Sequence, residues 1–347
     1  MKRADEVAAK DVPMHAAPQG DVSMSNLPDL TIRRLAEEEL SLLPPVFAHA
    51  FGQPIGLDVL RWKYATGLGE SWLAQSADGR PLMHCGLLFR DVRFAGQRAC
   101  MAQLVDLAAG ADKTGLARRN GPFSRLMHHI LDCLPRAGNP HGLALGFPSG
   151  RAMRLGEHLG VYQSVDQLYD LKFVPALQRS WLSLRCQLLD ALPEARVMDV
   201  LWRNMAQELA GAAVGVRDAA YMHWRFVQHP HRSSYRLLLC QSAIWRKPCA
   251  LLVLRWGDEG VCHLIDALGP PSALPDVLTA LLIWCAQQGL HEIRLALTGR
   301  FAQQLAPLAA ECTASEIRIM ANPRTPPEVL AHFQNNWWLT AGDTDYR

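Results

Sequence analysis

The chain has 347 residues, 49% hydrophobic and 20% charged, the balance of a globular protein with room for two cores of ordinary size. Its 35 basic and 33 acidic residues nearly cancel to a formal charge of +2, which gives no electrostatic case for nucleic acid or an anionic membrane as the main partner. No apolar run approaches the length of a membrane span, and nine cysteines without a CxxC pair or metal-type spacing predict reduced thiols, no metal and a cytoplasmic location.

Residues 1–28 are rich in Ala, Asp, Lys, Ser and Pro, lack the apolar stretch of a signal peptide, and are expected to form a disordered tail. The first patterned element is Leu60-Arg61-Trp62-Lys63-Tyr64. An apolar strand beginning near Trp72, a polar turn over 77–80 and an apolar run over 82–89 follow. A third strand, 101–107, carries Val105-Asp106 near its end. After a loop, a helix is predicted over 122–134, where Leu126, Ile130 and Leu134 recur at i, i+4 and i+8 and form one buried face. Pro122 suits its first turn, where no N–H partner is lost. A strand at 143–147, a helix at 149–159 and a strand at 167–173 close the unit. Residues 175–196, with Leu184, Leu188, Leu189 and Leu192, are expected to be a linking helix.

The pattern then repeats. Met222-His223-Trp224-Arg225-Phe226 restates the apolar, basic or His, Trp, basic, aromatic motif 162 residues after Trp62, and Asp266 ends a strand 160 residues after Asp106. Near-constant offsets across separate elements argue for a duplicated unit, whereas any single match would mean nothing. In the second copy Ser272 is placed to cap a helix over 274–288, which Gly289 stops. A strand at 292–297, a helix at 299–310 and a strand at 316–320 follow. The expected architecture is α/β: two fused mixed-sheet domains, residues 29–178 and residues 179–347, the latter opening with the linking helix.

The sharpest local signal is Arg118-Arg119-Asn120-Gly121-Pro122-Phe123-Ser124, between a strand and a helix. A helix start offers unpaired N–H groups and a partial positive charge, glycine admits a close approach to backbone, and the arginines match a diphosphate. An isolated basic turn is more often merely solvated; the strand–loop–helix setting inside a repeat favours the anion site. The second copy has Gly269-Pro270-Pro271-Ser272 there, with no Arg and two prolines that donate nothing, so it is expected not to bind the same ligand.

On this loop the first copy resembles the GCN5-related N-acetyltransferase family, whose acetyl-CoA loop has the form [QR]xxGx[GA]. Arg118 and Gly121 match it, while Phe123 stands where Gly or Ala is usual and the segment from Leu107 to Ala117 is a few residues longer than usual. Leu145-Gly146-Phe147-Pro148-Ser149 and Leu159-Gly160-Val161-Tyr162 are similar to the family's fifth strand and the end of its fourth helix. Trp337-Trp338-Leu339-Thr340, with Asp343 and Asp345 after it, is similar to the close of tandem members tied to bacterial envelope or polysaccharide metabolism.

The resemblance implies two fused domains of that fold and an acetyl- or acyl-CoA co-substrate held by Arg118, Arg119, Asn120, Gly121, Phe123 and Ser124. It further implies strand pairing of Val105 and Leu107 with the pantetheine amides and direct attack by a small-molecule amine in a ternary complex. Asp106 is the candidate general base, with a strand-end turn residue as the alternative, since Asp266 repeats it. Trp62 and Tyr64 are candidates for the substrate wall, with core packing as the alternative. The family's general-acid tyrosine position holds Gly156. Asp343 and Asp345 either face the amine or belong to a hydrated tail. A catalytically inactive tandem module for binding or assembly is the competing function; transfer from a charged tRNA fits the near-neutral charge poorly.

Overall fold

The computed structural model describes residues 30–112, 115–116, 118–136, 138–177 and 184–344. The expected tail at 1–28 and Asp345 lie outside them. The first unit runs β1 (Leu30–Arg34), α1 (Leu43–Phe51), α2 (Leu57–Tyr64), β2 (Gly69–Ser76), β3 (Pro81–Phe94), β4 (Gln97–Ala109), α3 (Pro122–Cys133), β5 (Ala144–Gly146), α4 (Gly150–His158) and β6 (Gln163–Phe173). The second repeats it with β7 (Leu184–Leu189), α5 (Ala195–Glu208), β8 (Ala213–Gly215), α6 (Ala219–Met222) and a π turn over His223–Val227. It continues through β9 (Tyr235–Ser242), β10 (Pro248–Trp256), β11 (Val261–Leu268), α7 (Leu274–Gln287), β12 (Glu292–Thr298), α8 (Gly299–Leu305) and β13 (Glu311–Ala321). A short helix α9 (Pro327–Leu330) and strand β14 (Trp337–Trp338) follow.

The expected linking helix is a correction. Residues Leu184–Leu189 form strand β7, which pairs antiparallel with β9 just as β1 pairs with β2. Leu184, Leu188 and Leu189 sit on an edge strand that leaves Leu188 exposed, Leu192 follows it in a loop, and helix starts only at Ala195. Ser272 is a second correction. It lies in a one-turn 3-10 segment, Pro271–Ala273, and does not cap α7.

The strands form one mixed sheet, with order β1-β2-β3-β4-β5-β13-β6-β12-β11-β10-β9-β7 and β8 and β14 off this path. The last strand of each unit crosses into the other: β13 lies between β5 and β6, and β6 lies between β13 and β12. The two exchanged strands run antiparallel at the centre, which relates the units by an approximate twofold through that pair.

Packing follows the same division. In α3 the residues Phe123, Leu126, Met127, Ile130 and Leu131, spaced three and four apart, bury one face against β3, β4 and α4. The opposite face of the first unit packs on α1 and α2 through Leu43, Phe47, Leu60 and Tyr64. The segment around Phe333 and Trp337 covers the sheet centre beside β6 and β13. No helix among the described residues is long and apolar enough to cross a membrane.

Candidate functional site

In each unit two neighbouring parallel strands pair for three or four residues and then part. In the first, β4 and β5 pair over Ala102–Ala144, Gln103–Leu145 and Leu104–Gly146 and no further. In the second, β11 and β12 pair from Val261–Glu292 to Leu264–Leu295 and no further. Beyond these points each unit has a wedge between diverging strands. The first wedge has Val105, Asp106 and Leu107 on one wall, where Val105 packs toward α1 and α2 and Leu107 toward α3.

Asp106 sits at a β-bulge, where the β3–β4 register shifts between His84 and Gly86, and its φ is +54°. Asp tolerates this left-handed conformation better than most residues. His84 holds it there. The His84 Nδ1 lies 2.8 Å from the Asp106 carbonyl, which can only accept, so Nδ1 carries the hydrogen. Nε2 then accepts from Ser71 Oγ at 2.9 Å. His84 is fully buried, and burial pushes its pKa down to about 4, against the pull of the Asp106 carbonyl.

The Asp106 carboxylate meets two side chains of α2. Lys63 Nζ bonds both oxygens at 2.9 and 3.0 Å, and Tyr64 donates its hydroxyl to Oδ2 at 2.5 Å. The Trp-basic-aromatic motif thus delivers a cation and a phenol to the bulge from consecutive helix positions. Gly86 makes this possible, because a Cβ there would fall 1.9 Å from the Tyr64 oxygen. Lys63, Tyr64 and Asp106 are nearly buried, so this carboxylate is an integral part of the fold as well as the polar group nearest the wedge.

The basic loop lies at the start of α3. Gly121 is its N-cap with φ −74°, so glycine is required by crowding: a Cβ would stand 2.1 Å from the Gly115 carbonyl oxygen. The Gly121 N–H is already given to the Arg118 carbonyl at 2.9 Å. Pro122 has none to give, which leaves the N–H groups of Phe123 and Ser124 as the free donors of the first turn. Arg118, Arg119 and Asn120 are exposed, and neither arginine enters an ion pair among the described residues. The buried Ser124 Oγ has no hydrogen-bond partner there. Phe123 turns its ring into the core, edge-on to Tyr162, so the departure from a small residue costs the loop no space. Tyr162 in turn lies over Gly156, where a Cβ would come within 2.0 Å of the ring. Burial pushes its phenol well up.

Trp62 and its repeat partner Trp224 meet at the approximate twofold axis. Their rings stack at 4.7 Å and 13°, and Trp62 Nε1 donates to the Trp224 carbonyl. They line a cavity of about 20 Å³ between the units, together with Arg90, Gln103, Arg225 and Asp343, and the buried Trp224 Nε1 has no partner among the described residues. Tyr64 lies instead in the α1–α2 core. A larger groove of about 550 Å³ opens beside β6 and α8, lined by Asp166, Arg300 and Arg318. None of the residues nominated from sequence faces it.

The second unit fills both parts of its own equivalent site. At the loop, the Glu208 carboxylate accepts from Ser272 N at 2.8 Å and from Ser272 Oγ at 2.6 Å. An internal anion thus sits beside the start of α7. In the wedge lies the chain's C-terminal segment. Leu297 bridges Thr340, Thr298 N donates to the Leu339 carbonyl at 3.2 Å, and Thr340 Oγ1 donates to Asp266 at 3.0 Å. Asp266 also takes the Arg217 Nε at 3.1 Å, in place of the cation that Lys63 supplies to Asp106. Arg225, the counterpart of Lys63, turns to the Gly342 carbonyl and the Tyr235 hydroxyl.

Asp343 is fully buried, so a hydrated tail is ruled out for it. It accepts from Arg90 at 2.8 Å, from a short contact with Arg217 and from the Thr340 N–H. Burial opposes its charge, but the two guanidiniums hold its pKa below the usual value. His84, Arg90, Gln103, Arg217 and Glu208 escaped sequence reasoning. The repeated basic residue after each Trp and the repeated strand-end Asp were the signal for one ion pair per unit; the change of partner in the second was not readable. No group of three or more potential metal ligands occurs among the described residues.

No protein-family model matches the sequence, and no curated protein matches it. Solved structures do match the fold. A probable N-acyltransferase of unknown function from Enterococcus faecalis V583 superposes with a TM-score of 0.64 at 13% identity, over 84% of this chain and 72% of that one. A GCN5-related N-acetyltransferase from Anabaena variabilis gives 0.62 at 14%, over 85% and 73%. Another from Kribbella flavida gives 0.59 at 14%, over 85% and 71%. The chain has the GCN5-related N-acetyltransferase fold, a mixed α/β sheet with the unit present twice.

Proposed function

We propose that the protein is an acyl-CoA-dependent N-acyltransferase that binds one acyl-CoA, in the first unit, and passes its acyl group to a small-molecule amine. The supporting observation is the asymmetry of the two wedges. The second is taken by the chain's own Thr340 segment and its loop by Glu208, whereas the first is entered by no strand or bridge among the described residues and is followed in the chain by a basic loop. Arg118 and Arg119, with the N–H groups of Phe123 and Ser124, suit a diphosphate. Val105 and Leu107 offer strand edge to the amides of a pantetheine arm. Acyl-CoA would supply an activated thioester. The chain would hold it in line, donate hydrogen bonds to its carbonyl from β4, and take the amine's proton at Asp106, directly or through water. The reading places the work in the cytoplasm, where acyl-CoA is made and thiols stay reduced.

The engagement of Asp106 by Lys63 and Tyr64 favours the second reading, a tandem module that binds CoA without turnover. Isothermal titration with CoA and chromatographic measurement of CoA release from acetyl-CoA over an amine panel separate the two. We expect 1:1 binding and amine-dependent release. Each lost charge-assisted bond is worth about 1.5–3 kcal/mol, so Arg118→Ala with Arg119→Ala should weaken binding at least tenfold without unfolding the protein. Equal affinity in the variant refutes the assignment of the loop, and stoichiometric binding without release selects the inactive module.

A further inference from the structure

The contents of the second wedge have a consequence for the first. The C-terminal segment lies between β11 and β12 where these strands part, paired with β12 at Leu297–Thr340 and with Thr298, and hydrogen-bonded to Asp266 on the β11 side. Gly342 lies so close to Asp266 that a Cβ would stand 2.8 Å from the Asp266 Cβ. The segment enters the gap as an amide ligand would, with the backbone of Leu339 and Thr340 to one wall and the Thr340 hydroxyl to the other, and then turns in a 3-10 step over Ala341–Asp343. The Glu208 carboxylate beside α7 completes the picture with an anion at the loop.

The segment also reaches across to the first unit. Asp343 bonds Arg90 of β3 at 2.8 Å, and the Asp343 carbonyl accepts from Gln103 of β4 at 2.8 Å. Arg90 in turn donates to Gln103 at 3.1 Å and to the Tyr221 hydroxyl at 2.9 Å. Gln103 is the residue before Leu104, the last point at which β4 and β5 are paired. The segment is therefore fastened to β4 one residue ahead of the first wedge, with Asp343, Arg90 and Gln103 all buried. A buried, fully bonded network of this kind fixes geometry far better than it adds stability.

We propose that the second unit retains a working binding cleft whose ligand is the chain's own C-terminal segment, an extended Thr340 followed by a 3-10 turn over Ala341–Asp343 that bears an aspartate, and that Asp343, delivered by this segment, is a positioning residue that sets the opening of the first wedge through Arg90 and Gln103. The positioning half rests on the acyl-CoA reading. The occupied cleft stands without it.

Two measurements on the full chain test this. Amide hydrogen exchange of Val105 to Leu107 in the ligand-free protein reports the wedge itself, and titration with CoA reports its use. In Asp343→Asn those amides should exchange at least tenfold faster and CoA affinity should fall at least tenfold. Leu281→Ala, in the buried face of α7, is the control for general loss of stability in the second unit. It should leave affinity within threefold at a comparable drop in Tm. If Asp343→Asn does not fold, Arg90→Gln leaves Asp343 paired with Arg217 and should give the same two changes. The proposal is overturned if the Asp343 and Leu281 variants lose affinity alike, or if wedge amides are unchanged in a folded Asp343→Asn or Arg90→Gln protein. A wild-type chain that binds no CoA refutes the acyl-CoA reading alone, and amide exchange then decides the inference.

Discussion

His84 shows how much of the site's geometry depends on one neutral imidazole. Its two nitrogens are matched to a carbonyl and a hydroxyl, and through the carbonyl it secures the left-handed Asp106. The unfolded chain takes up a proton at this residue near pH 6.5, the native chain only near pH 4. Stability contributed by neutral His84 is therefore complete above pH 6.5 and is lost as pH falls toward 4. At about 1.4 kcal/mol per unit of pKa difference, the loss approaches roughly 3 kcal/mol. Urea unfolding at pH 7 and pH 4.5 should show a larger acid destabilisation for wild type than for His84→Asn. Parallel slopes would mean that His84 titrates alike in both states. Sequence did not reveal this residue, since a histidine between Met83 and Cys85 in an apolar strand looks like core. It did reveal Asp106, because the repeat placed an acid at the same strand end twice. What it could not weigh was the company Asp106 keeps, which depends on a helix that reaches the bulge only in three dimensions.

Between elements, the contact of α2 with β3 is decided by an absence. Tyr64 reaches Asp106 only by passing over Gly86, and no larger residue fits beneath its hydroxyl. Gly86→Ala should expel the phenol from the bulge, costing roughly 1–3 kcal/mol for overpacking. The same substitution should break the Tyr64–Asp106 bond while leaving the Lys63 pair. Thermal unfolding measures the first effect. The second predicts that Gly86→Ala together with Tyr64→Phe is scarcely less stable than Gly86→Ala alone, and additive losses would count against it. At this scale the sequence was informative where periodicity met a buried face, as in α3, where a glycine stopped a helix, as after α7, or where a turn separated apolar runs, as in β2–β3. It misled at β7, whose leucines carry helical spacing by accident, since an edge strand needs only one covered face. The second wedge was equally hidden. A loop without arginine announced that a phosphate site was gone, but nothing local announced that residues some 70 positions further on would enter the gap.

The exchange of β6 and β13 joins the two repeated units into one sheet. Without β13, the three-residue β5 would present its open edge to solvent and lose contact with β6; without β6, β12 would do the same. The stacked Trp62 and Trp224, the strand β8 paired to β3, and Asp343 shared by Arg90 and Arg217 tie the units further. Duplication was legible because offsets recur. Exchange was not, because a strand's pattern records that one face is buried and says nothing of which neighbour lies beside it. The consequence is testable without any ligand. Residues 30–177 and 184–347 expressed separately should fail to give soluble monomers with cooperative unfolding, whereas the two co-expressed should assemble one to one, and the intact chain should unfold in a single transition followed alike by near- and far-UV circular dichroism. A first unit that folds alone would show that β6 and β5 can close the sheet without β13. The second unit would then be an addition to a finished domain, and no longer half of one.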